Sequence, residues 1–408
     1  MTIDLYKKIT HYDNIRQAYF DLVLKLDKDQ KTKKYYGIDG VHLNDLNYIS
    51  ESVLREIQKE MLVFCPIAPA YMVAIPKKKN NTRNIYIYSI KERIKAEAIY
   101  RVLEPIFDKY LSPYLFSYRT SHPSYFAARS TVRRYKRYFG QNHIMVADLS
   151  DYTDSMDHEM LLQKICLLNL DEDTVKLLKL FIFAQKMEYG VIKDNKLGLM
   201  TGTPISGLLS NLFMDDFDKW AGKYVDFYRR VGDDMIAMDK NPKKVQEVFD
   251  HLIDTVEYTK LKLNMKKVRL IDDTTPFEFL GYQFKGGEIS FDPSSLQKII
   301  SDWKIKLMRY PGKNIKRKVR WFKAIFYSET NDLYNQFDQI IKQKILVDNQ
   351  KQVKEFSGKF FRMITLYFFG KYSEKNRREL FYLLKDNHIS SLYEHYNNIH
   401  FPKNYVKK

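Results

Sequence analysis

Two adjacent carboxylates, Asp233 and Asp234, stand in the segment FYRRVGDDMIAM (227–238), flanked on both sides by apolar and aromatic residues. That pattern predicts the tip of a β-hairpin. Two like charges on a tight turn repel, and the arrangement is costly unless a cation lies between them. A third carboxylate, Asp148, closes an apolar strand in IMVADLSDYTDSMDH (144–158). Aspartate is a common turn residue, so an isolated pair carries little weight. Three carboxylates converging from neighbouring strands are a different matter. They form a site for two Mg²⁺ ions, one activating an attacking oxygen and one steadying the leaving group in phosphoryl transfer.

The composition narrows the partner. Lys and Arg number 68 against 50 Asp and Glu, a formal charge of +18 over 408 residues. Such an excess favours a polyanion over a small neutral substrate. The 31 Tyr and 26 Phe suit base stacking beside cations. The hydrophobic share of 45% supports two or three domains. Cys65 and Cys166 belong to no CxxC pair, which excludes a zinc ribbon or a disulfide framework and fits a reducing cytoplasm. The opening MTIDLYKKITHYDN has no apolar signal core, and no apolar run is long enough to span a membrane. A cytoplasmic protein with no membrane partner is expected.

The elements that must position the carboxylates follow from periodicity. The first seventy or so residues read as helical, with a turn at YYGIDGV (35–41). YMVAIPKKKNNTRNIYIYSI (71–90) reads as a hairpin with a basic tip, and residues 91–111 as a helix. One helix is expected from about His158 through Leu180, and one buried helix over 204–222, opened by Pro204 and Ser206. An amphipathic helix is expected over 246–263 and a hairpin over 277–292, turning at Gly286-Gly287. Beyond Pro293 the pattern is mostly helical, which places a domain boundary near Asp292. Strands and helices mix without βαβ alternation. The expectation is an α+β domain around an antiparallel sheet, followed by an α-helical domain.

At this point an ordered set of segments resembles the reverse transcriptase family, especially its bacterial group II intron and retron-like members. GIDG (37–40) is similar to the family's GxDG turn, and IPKKKNNTR (75–83) to its fingers hairpin. LEPIFDKYLSPYLFSYR (103–119) resembles LEPxFxxxFxxxSYGFR, and DLSDYTDSMDH (148–158) resembles DIxxFFDSIDH. GLMTGTPISGLLSNLFMDDFD (198–218) and RVGDD (230–234) follow in the family's order. KLNMKKVRL (262–270) is similar to the lysine-bearing LxxNxxKT segment, and FEFLGYQF (277–284) to the primer grip. The resemblance implies a right-hand polymerase. It would have N-terminal helices and fingers over 1–140, a palm over 141–292 and an α-helical thumb over 293–408.

It also implies roles. Asp148, Asp233 and Asp234 would hold the metals, with the Leu149 carbonyl completing one shell. Lys77 and Arg83 would hold the incoming triphosphate, with Lys78 and Lys79 open as alternatives to Lys77. Tyr152, Thr153, Thr201 and Gly202 would line the nucleotide. Lys267 would protonate the leaving pyrophosphate, Lys266 being the neighbouring alternative. Leu280, Gly281 and Tyr282 would position the primer. The basic run KNIKRKVRWFK (313–323) would grip an RNA–DNA duplex by its phosphates. The implied partners are an RNA template, a DNA product, dNTPs, and a partner protein or second copy.

Four departures from the family pattern stand out. Thr201 replaces a Gln, Ser206-Gly207 replaces an SP step, Val231 replaces the Tyr of YxDD, and SYRTSHPS (117–124) replaces SYGFRPGRS. Thr153 stands where a bulky residue normally excludes a ribose 2′-hydroxyl, with Tyr152 one place before it. No nuclease tail is evident. The pattern is most similar to stand-alone bacterial antiphage reverse transcriptases, which implies a dedicated noncoding RNA template. Two other readings stay open: an RNA-dependent RNA polymerase, suggested by GDD and the small gate residue, and a non-catalytic nucleic-acid-binding regulator. Priming from a tyrosine hydroxyl is also permitted.

Overall fold

The computed structural model describes residues 4–30, 51–76, 82–310, 312–326, 347–348 and 350–386. The chain divides into two compact units, Met1–Leu26 with Thr32–Asp273, and Asp27–Lys31 with Thr274–Lys408. The GIDG turn (37–40) and the hairpin tip carrying Lys77, Lys78 and Lys79 lie outside the described residues. Among the described residues no helix is long and apolar enough to cross a membrane.

The first unit opens with helices α1 (Leu5–Thr10), α2 (Tyr12–Gln30) and α3 (Glu51–Leu62). Strands β1 (Ala70–Pro76) and β2 (Thr82–Ile87) then pair antiparallel, with Ile75 opposite Arg83. Helix α4 (Ile90–Tyr110) starts where the Ser89 hydroxyl caps the Glu92 amide, close to the expected start. Helix α5 (Ser124–Arg137) leads into β3 (His143–Asp148).

The expected helix from His158 to Leu180 is two helices, α6 (His158–Cys166) and α7 (Glu172–Ile182). Asn169 between them takes a positive φ of 51°, and Asp171 caps the second helix by accepting from the Thr174 amide at 2.8 Å. Local capping outweighs the continuous apolar period there. Two short strands that periodicity missed, β4 (Lys186–Glu188) and β5 (Val191–Lys193), extend the fingers hairpin to a sheet of order β2-β1-β4-β5, in which β1 and β4 run parallel. The buried helix expected over 204–222 is also divided, into α8 (Pro204–Phe213) and α9 (Asp215–Tyr224). Asp215 at the break accepts from the Ser112 amide at 2.6 Å.

The central sheet is antiparallel throughout, in the order β6 (Phe227–Val231), β7 (Asp234–Asp239), β3, β8 (Arg269–Asp272). Five of six residues in β3 and in β7 are buried, so these strands are covered on both faces. Helix α10 (Pro242–Tyr258) packs across β3 and β7, while α5 and α9 pack on β6.

In the second unit, β9 (Phe277–Phe279), β10 (Tyr282–Lys285) and β11 (Glu288–Phe291) form a sheet of order β11-β10-β9. Gly286 and Gly287 have φ of 56° and 81°, the pair of positive values a type I′ hairpin turn demands. Helices α11 (Pro293–Met308), α12 (Ile315–Phe326), α13 (Gln350–Phe369) and α14 (Glu374–Asp386) follow. Their core is built on Trp303, fully buried, with its ring edge-on to Phe360 at 4.7 Å. The sheet of β9–β11 lies in the same compact unit as these helices.

Asp171 does more than cap α7. Its carboxylate also accepts from the Leu5 and Tyr6 amides at 3.2 and 3.3 Å, tying the N-terminal helix down. Asp171→Ala is expected to lower stability by about 1–2 kcal/mol. A denaturant midpoint unchanged from wild type would show that this carboxylate holds nothing together.

Candidate active site

The hairpin β6–β7 closes on the pair Val231–Asp234, leaving Gly232 and Asp233 as a two-residue loop. Gly232 has φ +64°, and the first loop position is where a type II′ turn takes glycine. Across the sheet, Asp234 of β7 sits directly opposite Asp148 of β3. The Leu149 amide donates to the Asp233 carbonyl at 3.1 Å, tying the chain after β3 to the hairpin tip. The ladder therefore brings Asp148, Asp233 and Asp234 to one end of two adjacent strands.

Asp148 is buried and fully engaged. One carboxylate oxygen accepts from the Asn264 side-chain amide at 2.8 Å, and the other pairs with the Lys267 ammonium. The Asn264 backbone amide also donates to the Asp148 carbonyl at 2.8 Å. Lys267 Nζ lies 4.0 Å from Asp234 Oδ1, so it spans both carboxylates. Lys267, and not its neighbour Lys266, is thus the lysine at the carboxylates. Asn264 is a site residue that sequence reasoning missed, although it stands in the KLNMKKVRL segment. Among the described residues, no three His, Cys, Asp or Glu side chains close around one point. Asp148 and Asp234 form a pair bridged by Lys267, with Asp233 exposed beside them on the turn.

The electrostatics follow from this crowding. Burial, then the neighbouring Asp233 charge, pushes the Asp234 carboxyl up to about 7, and Lys267 opposes the shift. Two-fifths of the Asp234 side chain stays exposed, so solvent moderates the effect. Burial works against the Lys267 charge, but the hydrogen bond to Asp148 and the Asp234 charge outweigh it and hold its pKa above the usual value.

Beneath the turn lies Arg230, which is fully buried. Its Nε and Nη2 donate to the two oxygens of Asp218 at 2.8 and 2.7 Å, and Asp218 is sealed as well. Its Nη1 donates to the Gly232 carbonyl at 2.9 Å, and Nη2 to the Asn211 carbonyl at 3.0 Å. Tyr228 donates its hydroxyl to Asp218 at 2.8 Å. This network fixes the turn from behind, a role that the RVGDD motif alone does not give to Arg230.

Tyr152 departs from expectation. It is buried, its hydroxyl donates to the Ser210 carbonyl at 2.6 Å, and Arg230 Nη1 reaches that hydroxyl at 3.4 Å. It supports the turn from within rather than presenting its hydroxyl to a nucleotide. Side-chain direction in a loop cannot be read from the sequence, so the motif alone does not separate Tyr152 from Thr153. Thr153 is half-buried, and its carbonyl accepts from the Leu199 amide at 2.7 Å. That bond brings the 148–158 loop to the segment carrying Thr201 and Gly202. Gly202 has φ +123°, and a Cβ there would lie 2.2 Å from the Tyr86 carbonyl on β2. The 201–202 segment therefore lies against the strand whose outer end bears Arg83, paired with Ile75. Leu280 and Gly281, with φ of 49° and 80°, turn β9 into β10 within the second unit, and Tyr282 is buried against Phe291.

Residues 75–284 match the reverse transcriptase (RNA-dependent DNA polymerase) family. The chain belongs to the reverse transcriptase family. Its enzyme class is RNA-directed DNA polymerase, a nucleotidyltransferase. Protein YkfC of Escherichia coli K12 is 25% identical over 287 residues, which cover 60% of this chain and 75% of that one. The COX1/OXI3 intron 1 protein of Saccharomyces cerevisiae is 26% identical over 195 residues, covering 47% of this chain and 22% of its own length. A telomerase structure from Candida albicans, solved with the TWJ fragment of telomeric RNA, shares 12% identity. That match covers 90% of this chain and 73% of the telomerase, with a TM-score of 0.46.

The Asp234 shift has a stability consequence. A carboxyl raised in the folded chain binds more protons there than in the unfolded chain, so stability falls as pH rises from about 4 towards 7. Above about 7 the full penalty is present. Without divalent cations, Asp234→Asn is expected to raise Tm, and by more at pH 8 than at pH 5. An equal effect at both pH values would show that Asp234 titrates normally. Added Mg²⁺ should stabilise the wild type more than the variant.

Proposed function

We propose that this reverse transcriptase extends a DNA strand on an RNA template, using two Mg²⁺ ions at Asp148, Asp233 and Asp234. The observation that carries the reading is the pairing of Asp148 with Asp234 across β3 and β7, bridged by the Lys267 ammonium. A site that draws a lysine into its carboxylates has the charge to hold a cation, and its oxygen donors suit Mg²⁺. The Leu149 carbonyl would complete one shell. When bound, the ions would activate the primer hydroxyl and neutralise charge on the departing pyrophosphate.

The protein's own residues supply placement and proton traffic. The Gly232–Asp233 turn, braced by Arg230, holds the carboxylates in register. Lys267 would carry the proton delivered to pyrophosphate. Arg83 and Lys77, from the fingers hairpin, would clamp the triphosphate, the first as a bidentate fork and the second as a point charge. Thr153, Thr201 and the backbone at Gly202 would border the sugar and base, and Leu280, Gly281 and Tyr282 the primer end. Fingers over 1–140, palm over 141–292 and thumb over 293–408 complete the assignment. The four departures from the family pattern support a specialist that copies a dedicated noncoding RNA in the cytoplasm during phage defence.

Purified protein, RNA template, primer, dNTPs and Mg²⁺ should yield DNA. Asp233→Asn and Asp148→Asn should each lower kcat by at least on the order of a hundredfold. Lys267→Met should slow the reaction more than Lys267→Arg does. DNA synthesis undiminished in Asp233→Asn would sink the assignment. Preferential incorporation of NTPs would identify an RNA polymerase, a reading that the half-buried Thr153 makes specific. Phage resistance that survives Asp148→Ala would remove synthesis from the defence role.

A further inference from the structure

The second unit holds a cavity of about 480 Å³ that the polymerase chemistry does not use. Its walls are aliphatic: Ile300, Leu307 and Met308 from α11, and Met363 and Leu366 from α13, with Tyr367 beside them. On α13 these positions are three and four residues apart and on α11 seven and eight, so each helix turns one apolar face to the cavity. Among the described residues lining it, the charged ones are all cations, Lys304, Lys318, Lys359 and Arg362, with no carboxylate.

Lys318 is the informative one. It lies within the basic run 313–323, where Lys316, Arg317 and Arg320 are exposed as expected for a phosphate grip. Lys318 itself is buried at 9% exposure, and its ammonium donates to the Tyr367 carbonyl at 2.5 Å. Among the described residues its ammonium meets the Tyr367 and Phe368 carbonyls, and these dipoles supply no counter-charge. A buried cation without an anion is costly, and a ligand that brings one recovers that cost. Lys304, Lys359 and Arg362 are the other cations at the cavity.

We propose that this cavity captures one unstacked nucleotide of single-stranded RNA, its base between the aliphatic walls and its phosphates on the four cations. The fit has three parts. The volume lies in the range of small-ligand sites and suits a nucleotide unit. An apolar interior beside cations matches a flat base carrying an anionic backbone, as in single-strand binding grooves. The chain as a whole carries +18 and belongs to a family that works on RNA. The slot would hold the template strand, or the RNA that carries it, by one residue while the rest of the molecule slides or pairs elsewhere. The proposal rests on the reading of RNA as template, but not on the carboxylate chemistry.

The test uses the full chain and a fluorescein-labelled oligouridylate. Met363→Trp fills the slot and leaves every charge, whereas Lys359→Gln with Arg362→Gln removes charge and leaves the slot. Both should weaken binding by on the order of tenfold. Only the charge variant should flatten the salt dependence, by about 0.7 in the log–log slope for each phosphate no longer neutralised. Thermal melting confirms that each variant is folded. As a check needing no variant, 4-thiouridine in the oligonucleotide should crosslink to wild-type peptides containing Met363 or Tyr367. Unchanged affinity in Met363→Trp together with no crosslink there would overturn the proposal, leaving a surface phosphate grip. Binding to anionic phospholipid vesicles in place of the oligonucleotide would overturn it too. Loss of DNA synthesis with oligonucleotide binding intact would count against the polymerase reading alone.

Discussion

The ion pair between Arg230 and Asp218 is the interaction on which the catalytic end of the sheet depends. Both side chains are sealed from water, so neither recovers any hydration that folding removed. Such a pair is weak evidence for net stability, and it persists only when its remaining hydrogen-bonding groups are satisfied. Here they are. The guanidinium reaches Asp218, Gly232, Asn211 and Tyr152, while Tyr228 completes Asp218. Backbone bonds from Arg230 to Tyr114 and Phe116 add the chain after α4. One residue thereby joins several separate stretches of sequence. Breaking such a buried pair from one side costs about 3–5 kcal/mol, because the survivor is left charged and dry. The network therefore behaves as a unit, and what it fixes is the carbonyl of the turn that carries Asp233.

Rigidity at that point is needed because the site above it works against folding. The β3–β7 ladder places Asp148 and Asp234 opposite each other, and like charges directly across a ladder are destabilising. Lys267 and Asn264 offset part of this, while burial first and the neighbouring Asp233 charge second hold the Asp234 carboxyl up. The chain accepts a local penalty at these carboxylates and balances it with packing below. A looser turn would let the carboxylates splay and relieve the repulsion. Bracing by Arg230 through the Gly232 carbonyl denies that relaxation.

Much of this was legible in the sequence, for identifiable reasons. Gly232 before two aspartates, and the pair Gly286-Gly287, demand particular backbone angles, and short-range demands of that kind are written locally. Helix α4 announced itself by its long helical period, while its Ser89 cap emerged only from the structure. What was not legible depends on distant partners. Strand β4 exists because β1 lies beside it in parallel, and no local pattern marks that pairing. The breaks at Asn169 and Met214 interrupt apolar runs that read as continuous, because Asp171 and Asp215 answer to amides far away in sequence. Tyr152 reads as a site residue from its place in the motif, but its direction is set by Ser210 and Arg230. Asn264 has a motif signal, but its role appears only when Asp148 is beside it.

The departures from the family pattern also make sense only in space. Gly207 takes the place of a proline, and Tyr118 belongs to the altered 117–124 stretch. A Cβ at Gly207 would lie 2.6 Å from the Tyr118 ring, so the ring occupies volume that any larger residue would claim. Tyr118 is held there by its neighbour. Asn211 donates to the Ser117 carbonyl at 2.5 Å and accepts from the Ser117 hydroxyl at 2.8 Å. Asn211 in turn gives its own carbonyl to Arg230. The parallel bridge between Leu115 and Arg230 carries this stretch alongside the approach to the turn. Two changes that look independent along the chain are thus one packing solution, anchored on the same buried arginine that holds the carboxylate turn. The surfaces around the charges and the brace that positions them are therefore one packed unit.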